Sequence, residues 1–94
     1  MRYTLRQLEY FIAAGETLSI TQASERIHIS QPSISAAVAH LERELGVPLF
    51  VRHHAQGLSL TPAGRRLLHE ARLVVEHAQA VSYTHLTLPT KRLV

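Results

Sequence analysis

The stretch from Ser30 to Gly46, SQPSISAAVAHLERELG, constrains the fold of this chain more than any other. Its apolar residues recur at the three- and four-residue spacing of an amphipathic helix: Ile34, Val38, Leu41 and Leu45. Serine is a favourable N-cap, and the closing glycine stands where a left-handed residue ends a helix. The opposite face is small and nearly uncharged at its start. The pattern therefore predicts a helix that buries one side and presents a smooth ridge on the other.

The segments around this helix predict a mainly helical domain. Residues 4–17 have the apolar spacing of a first helix, and the capping pattern from Ser19 to Gln22 starts a second helix near Ile20. Residues 49–60 contain two short apolar runs around a polar tip, which is typical of a hairpin. The predicted architecture is a winged helix-turn-helix over residues 1–60, with three helices and a β-hairpin wing.

A long linker helix is predicted over residues 61–81, after the N-cap pair Thr61 and Pro62. One side of it carries small and apolar residues at a heptad-like spacing, which suits packing against a second copy of the helix. The alternative, packing on the chain's own winged domain, explains only its first turns. We therefore predict a homodimer and expect the dimerisation residues to be Leu67, Ala71, Val74, Ala78 and Val81.

Residues 82–94, SYTHLTLPTKRLV, break both the helical period and the composition of the preceding helix. We interpret this atypical tail as foreign to the rest of the chain; the alternative is a natural short tail. Without it, eight arginines against seven glutamates leave a net charge of only +1, instead of +3. Bulk charge alone is therefore a weak argument for nucleic-acid binding.

The composition excludes several kinds of chemistry. The chain has no Asp, Asn or Cys, and Lys91 is its only lysine, so an Asp-bearing triad, a calcium loop and a thiolate metal site are excluded. The pair His53 and His54 has no partner ligand within the wing tip, which favours a solvated wing over a metal site. We expect no enzyme activity, cofactor, signal peptide or membrane span.

The smooth ridge of the third helix suits entry into the major groove of DNA, where bulky side chains would hold the backbone away from the bases. Gln31, Ser33 and Ser35 can form hydrogen bonds at base edges, and Pro32 and Ala36 can contact thymine methyl groups. An ordinary alanine-rich surface helix is the alternative. The capped helix before it and the wing after it favour DNA binding.

Three motifs give the chain a specific resemblance: ASERIHISQPSIS, LERELGVPLFVR and LTPAG. Residues 1 to about 65 resemble the N-terminal winged helix-turn-helix of LysR-type transcriptional regulators. The resemblance implies a bacterial, cytoplasmic, dimeric regulator that binds pseudo-palindromic promoter DNA. It also implies base contacts from Gln31, Pro32, Ser33 and Ser35, a phosphate contact from Thr21, and a backbone or minor-groove contact from Arg52.

The chain departs from that family at the DNA face. Many members carry Arg or Gln after the second serine of the third helix, where this chain has Ala36 and Ala37, and the wing tip is HHAQG instead of arginine-rich. We predict modest DNA affinity at neutral pH and tighter binding when His53 and its neighbour are protonated. The family's effector-binding domain is expected to be absent, so no small-molecule effector is expected.

Two other functions remain open from the sequence. The third helix could bind a protein through its smooth alanine face, or the chain could be a dimerising fragment that inactivates full-length partners through the linker helix. Salt dependence separates the first of these from DNA binding, because phosphate contacts make affinity fall steeply with salt. Co-purification with a full-length relative would identify the second.

Overall fold

The computed structural model describes residues 3–55 and 57–92, with side chains described as far as residue 80. Within these residues the chain forms three helices, a two-stranded antiparallel hairpin and a long helix. Their bounds are α1 Leu5–Thr17, α2 Ile20–Ile27, α3 Gln31–Leu45, β1 Phe50–His53, β2 Gly57–Leu60 and α4 Pro62–Arg92. This order agrees with the predicted fold class.

Hydroxyl side chains fix the starts of the first helices. At α1 the Gln7 N–H donates to the Thr4 hydroxyl (3.1 Å), and the Thr4 N–H donates to Gln7 Oε1 (2.9 Å). At α2 the Ser19 hydroxyl accepts from the Gln22 N–H at 3.1 Å. These bonds satisfy first-turn donors that have no partner within a helix. Helix α2 therefore begins where the sequence predicts, and α1 begins one residue after the predicted Thr4, which is its N-cap.

Left-handed residues end the three short helices. Leu18 follows α1 with φ 56°, His28 follows α2 with φ 58°, and Gly46 follows α3 with φ 72°. Residues other than glycine adopt this region infrequently. The turn at His28 is short enough that α2 and α3 pack directly against each other, which gives the helix-turn-helix.

The core joins the helices to the hairpin. Its largest fully buried side chains are Phe11, Ile34, Leu41 and Leu49. The Phe11 ring lies 5.5 Å from the ring of Phe50 on β1 in a tilted arrangement, which is a favourable geometry for an aromatic pair. The apolar stripe of α3 therefore packs inward as predicted, except at its last member, Leu45, which is 39% exposed.

Backbone hydrogen bonds attach the wing to the helices on two sides. The Leu49 N–H donates to the Glu42 carboxylate of α3 at 2.7 Å. On β2 the Leu58 N–H donates to the Leu18 carbonyl, in the turn after α1, at 3.0 Å. A Cβ at Gly57 would lie 2.6 Å from that same carbonyl oxygen, so only glycine fits there. The hairpin is thereby held at a fixed position beside α3.

Helix α4 contributes buried side chains to the core as far as Val75, and its backbone helix continues beyond them. Gly64 passes so close to the Leu49 carbonyl that a Cβ cannot be accommodated, and Leu68 and Val75 are buried. The predicted end near Val81 is wrong, because α4 continues through Arg92. Apolar periodicity reports which side of a helix is buried and not where its backbone ends, and here the helix continues through Pro89.

Candidate nucleic-acid interface

The outward side of α3 forms a small, uncharged ridge over its first two turns, called here the α3 ridge. Gln31, Pro32, Ser33 and Ala36 are exposed on it, and Ser35 is half-buried. The structure thus brings together, on one helix, all five residues that the sequence assigns to base contacts. Their position follows from the buried stripe of α3, which turns the other side of the helix outward.

The next residue, Ala37, lies one turn after Ser33, in a cleft between α3 and α1. It is only 5% exposed and lies in the buried part of the chain. Of the two alanines that stand where the sequence predicts a loss of positive charge, only Ala36 is exposed. A longer side chain at position 37 would extend into that cleft.

The hydroxyl groups of Ser30 and Ser33 are coupled. The Ser30 hydroxyl donates to Ser33 Oγ at 2.8 Å and accepts from the Ser33 N–H at 3.3 Å. A hydroxyl group can donate one hydrogen bond and accept others, so Ser33 Oγ can bind a further group while it stays in contact with Ser30. The helix cap therefore fixes the position of Ser33 Oγ on the exposed α3 ridge.

The first turn of α2 and the wing carry the remaining predicted DNA contacts. Thr21 is exposed as the second residue of α2. Arg52 is exposed on β1 opposite Leu58. His53 is also exposed, but its Nε2 lies 2.8 Å from Ser59 Oγ on β2. This diagonal contact across the hairpin orients the imidazole. It was not predictable from the sequence, because it depends on the strand register.

The arginines fall into two groups: those that bind other groups of the chain and those that do not. Arg26 and Arg72 both bind the Glu16 carboxylate, at 2.6 Å and 2.8 Å, and Arg65 donates to the Leu60 carbonyl at 3.3 Å. Four others make no hydrogen bond or ion pair within the described residues: Arg6, Arg43, Arg52 and Arg66. These four guanidinium groups are available to an external anion.

Glu16 connects three helices, since it lies near the end of α1, Arg26 lies on α2 and Arg72 on α4. Burial raises the pKa of Glu16, but hydrogen bonds and charges from Arg72 and Arg26 outweigh that effect and lower the pKa below its usual 4.5. The carboxylate is therefore ionised at neutral pH and helps to fix α4 against the helix-turn-helix. Sequence reasoning missed this network.

The predicted dimerisation residues do not share one exposed side. Ala71 is 1% exposed and packs in the chain's own core, which corrects its assignment as a contact with a second copy. Val74 is 44% exposed, while Leu67 and Ala78 are half-buried. The side chain of Val81 lies outside the described residues. Leu73, which the sequence analysis did not select, is 53% exposed and is the more prominent apolar side chain of this surface.

Two other kinds of feature, a metal site and a membrane-spanning helix, are absent from the described part of the chain. No group of three or more His, Cys, Asp or Glu side chains in this part of the chain could hold a metal ion. Across the same residues, no helix combines the length and the apolar character that crossing a bilayer requires.

Comparison with known proteins identifies close relatives. The family model described as "Bacterial regulatory helix-turn-helix protein, lysR family" matches residues 5–65. The transcriptional regulator TfdS of Cupriavidus pinatubonensis is 48% identical over 71 residues, which is 76% of this chain and 24% of TfdS. The Hca operon transcriptional activator HcaR of Escherichia coli is 43% identical over 75 residues, 80% of this chain and 25% of HcaR. The chain thus spans about a quarter of the length of these relatives.

Among solved structures, the CbnR_DBD–DNA complex superposes with a TM-score of 0.84 at 38% identity. The match covers 92% of this chain and 98% of that one. The likeness extends over nearly the whole of both chains, so it includes the helices, the wing and the beginning of the long helix. The relatives are named as transcriptional regulators and not as enzymes.

Proposed function

The chain belongs to the lysR family of bacterial regulatory helix-turn-helix proteins, and from that premise we propose that it binds double-stranded promoter DNA as the DNA-binding part of a transcription regulator. The exposed, uncharged α3 ridge is the observation that carries the proposal. An equivalent fold, matched over 98% of its length, was solved in complex with DNA.

The α3 ridge supplies the proposed sequence readout. Gln31, Ser33 and Ser35 donate and accept hydrogen bonds at base edges, and Pro32 and Ala36 provide apolar contact with thymine methyl groups. Among the polar side chains of the ridge, Ser33 gives the strongest support for base contact, because its hydrogen bond with the Ser30 hydroxyl fixes its position. The small side chains let the helix backbone approach the floor of the groove.

Contacts outside the ridge position the duplex without reading its sequence. Thr21 at the start of α2 and Arg52 at the base of the wing are proposed phosphate or minor-groove contacts, and both are exposed. His53 adds a further contact from the wing. The expected rise in DNA affinity at mildly acid pH remains a prediction for this residue and His54.

Helix α4 is proposed to pair two copies of the chain, so that two α3 ridges meet successive half-sites of a pseudo-palindrome. The exposed leucine and valine at 73 and 74 support this role, whereas Leu67 and Ala78 are only half-buried and contribute less exposed surface. We keep residues 61–81 as the proposed linker and 82–94 as an atypical tail. A cytoplasmic location is proposed from the family.

Selection of bound fragments from a random DNA library by the purified chain tests the proposal. A recovered consensus sequence, bound with an affinity that falls steeply between about 50 and 200 mM salt, is the expected result. Recovery of no preferred sequence, with weak and salt-insensitive binding, would favour a protein-binding role for α3 instead.

A further inference from the structure

We propose that Arg6 is an additional DNA-phosphate contact, presented by a cleft between α1 and α3 that opens beside the α3 ridge. The inference rests on the proposed DNA binding and names a residue outside the helix-turn-helix and the wing. Its occupant is a backbone phosphate of the duplex that the ridge engages.

The cleft has a volume of about 380 Å³ and separates the first turns of α1 from the middle of α3. Arg6, Gln7 and Tyr10 line it from α1, and Ser33, Ala36 and His40 line it from α3. Two of these, Ser33 and Ala36, are also members of the α3 ridge. A duplex seated on the ridge therefore lies at the mouth of the cleft.

The dimensions of DNA place a phosphate strand there. The major groove is about 12 Å wide, and phosphate backbones border it on both sides. A helix inserted in the groove therefore has a backbone strand beside it, next to whichever element flanks that helix. On this side of α3 the flanking element is the first part of α1, which carries Arg6.

Charge distinguishes this cleft from its neighbour. The residues described as lining it include Arg6 and no carboxylate. A larger cleft of about 640 Å³ lies on the other side of Arg6, but Glu9 lines it together with the isoleucines Ile12, Ile27 and Ile29. A phosphate would be repelled by the carboxylate and would lose hydration against the isoleucines, so it favours the smaller cleft.

The Arg6 guanidinium is also available to bind an external group. Within the described residues it makes no hydrogen bond or ion pair, whereas Arg26 and Arg72 are held by Glu16. Binding a phosphate through Arg6 would break no bond of the described chain. Arginine recognises phosphate through paired N–H donors and keeps its charge at every physiological pH.

The experiment measures DNA affinity by fluorescence anisotropy, with a labelled duplex that the wild-type chain has selected from random DNA, over a series of salt concentrations. Arg6→Ala should weaken binding and reduce the slope of log affinity against log salt by about 0.9, the value for one phosphate contact. The affinity ratio of wild type to variant should then shrink about threefold between about 50 and 200 mM salt.

Two further variants make the result specific. Arg6→Lys keeps the charge and should keep the wild-type slope, although its affinity falls somewhat. Arg66→Ala removes an exposed, unpaired arginine that lines a different cleft, together with Leu45 and Leu67, and should leave the slope unchanged. An Arg6→Ala slope equal to that of wild type would overturn this inference alone. Failure of the wild type to select any duplex would instead count against the proposed function.

Discussion

Helices α3 and α4 have the same apolar periodicity but expose different kinds of side chain. Each has apolar residues at three- and four-residue spacing, and each buries that stripe in the same core. The outer side of α3 begins with small, uncharged residues, whereas that of α4 exposes Leu73 and Val74 among charged side chains. Periodicity identifies the buried side of α3 but not that of α4, where the predicted outer stripe included the buried Ala71. The size and polarity of the exposed side favour the proposed partner, which is DNA for α3 and a second copy of the chain for α4.

The largest expected effect separates the two sides of α3. Ile34→Ala removes a fully buried side chain and should lower the free energy of unfolding by about 2–5 kcal/mol, because atoms are lost and a cavity remains. Ala36→Ser on the exposed ridge should change it by less than about 0.5 kcal/mol. Chemical denaturation measures both variants, and equal losses would contradict the assignment of inner and outer sides.

The next effect concerns the outer side of α4. Leu73→Glu should weaken dimerisation by about tenfold or more, equivalent to about 1.4 kcal/mol, since it places a charge in the proposed apolar contact. The unfolding of the monomer should change little, because Leu73 is exposed. Sedimentation equilibrium gives the dimer affinity.

A matched control is available on α1. Leu5 is 40% exposed, comparable to Leu73 but on another helix, so Leu5→Glu should leave dimerisation intact. Equal loss of dimer in both variants, or a wild-type chain that stays monomeric at high concentration, would contradict the role proposed for α4.

A smaller effect concerns the network that joins the two regions. Glu16 has a lowered pKa, so its contribution to stability is fully present above the unfolded-state pKa and is lost as the pH falls through the folded-state pKa. Glu16→Gln should therefore lower stability at pH 7 by at most about 1 kcal/mol, because its arginine partners are solvent-exposed.

The pH profile supplies the control for this variant. Stability of the wild type should decline as the pH falls below about 4.5, and the difference between wild type and Glu16→Gln should narrow there. Thermal unfolding at a series of pH values measures this. A constant difference at every pH would show that the carboxylate charge is not what fixes α4.

Features set by neighbouring residues were predictable from the sequence. The cap hydroxyls at Thr4, Ser19 and Ser30 each bond to a backbone N–H three residues later, so the helix starts follow from local sequence alone. The α3 ridge follows from the buried stripe on the same helix. These short-range rules gave the fold class and the five candidate base contacts.

Features set by distant residues were not predictable. Two stripes of α4 have similar spacing, and only the packed structure shows that the one containing Ala71 and Val75 belongs to the chain's own core. The ion pair between Glu16 and Arg72 spans 56 residues, and the His53–Ser59 contact depends on hairpin register. The continuation of α4 beyond residue 81 is a property of the backbone that side-chain periodicity does not report.

The affinity of a Ser33→Glu variant for a duplex selected by the wild-type chain tests the account most directly. Ser33 is exposed on the α3 ridge, where a carboxylate would face base acceptors and phosphates. Ser33→Gln has nearly the same size without the charge, so it isolates the electrostatic effect. We predict that Ser33→Glu binds at least about a hundredfold more weakly than Ser33→Gln, as expected for like charges at an interface. Equal affinities for these two variants, both folded by circular dichroism, would contradict the claim that α3 lies against DNA.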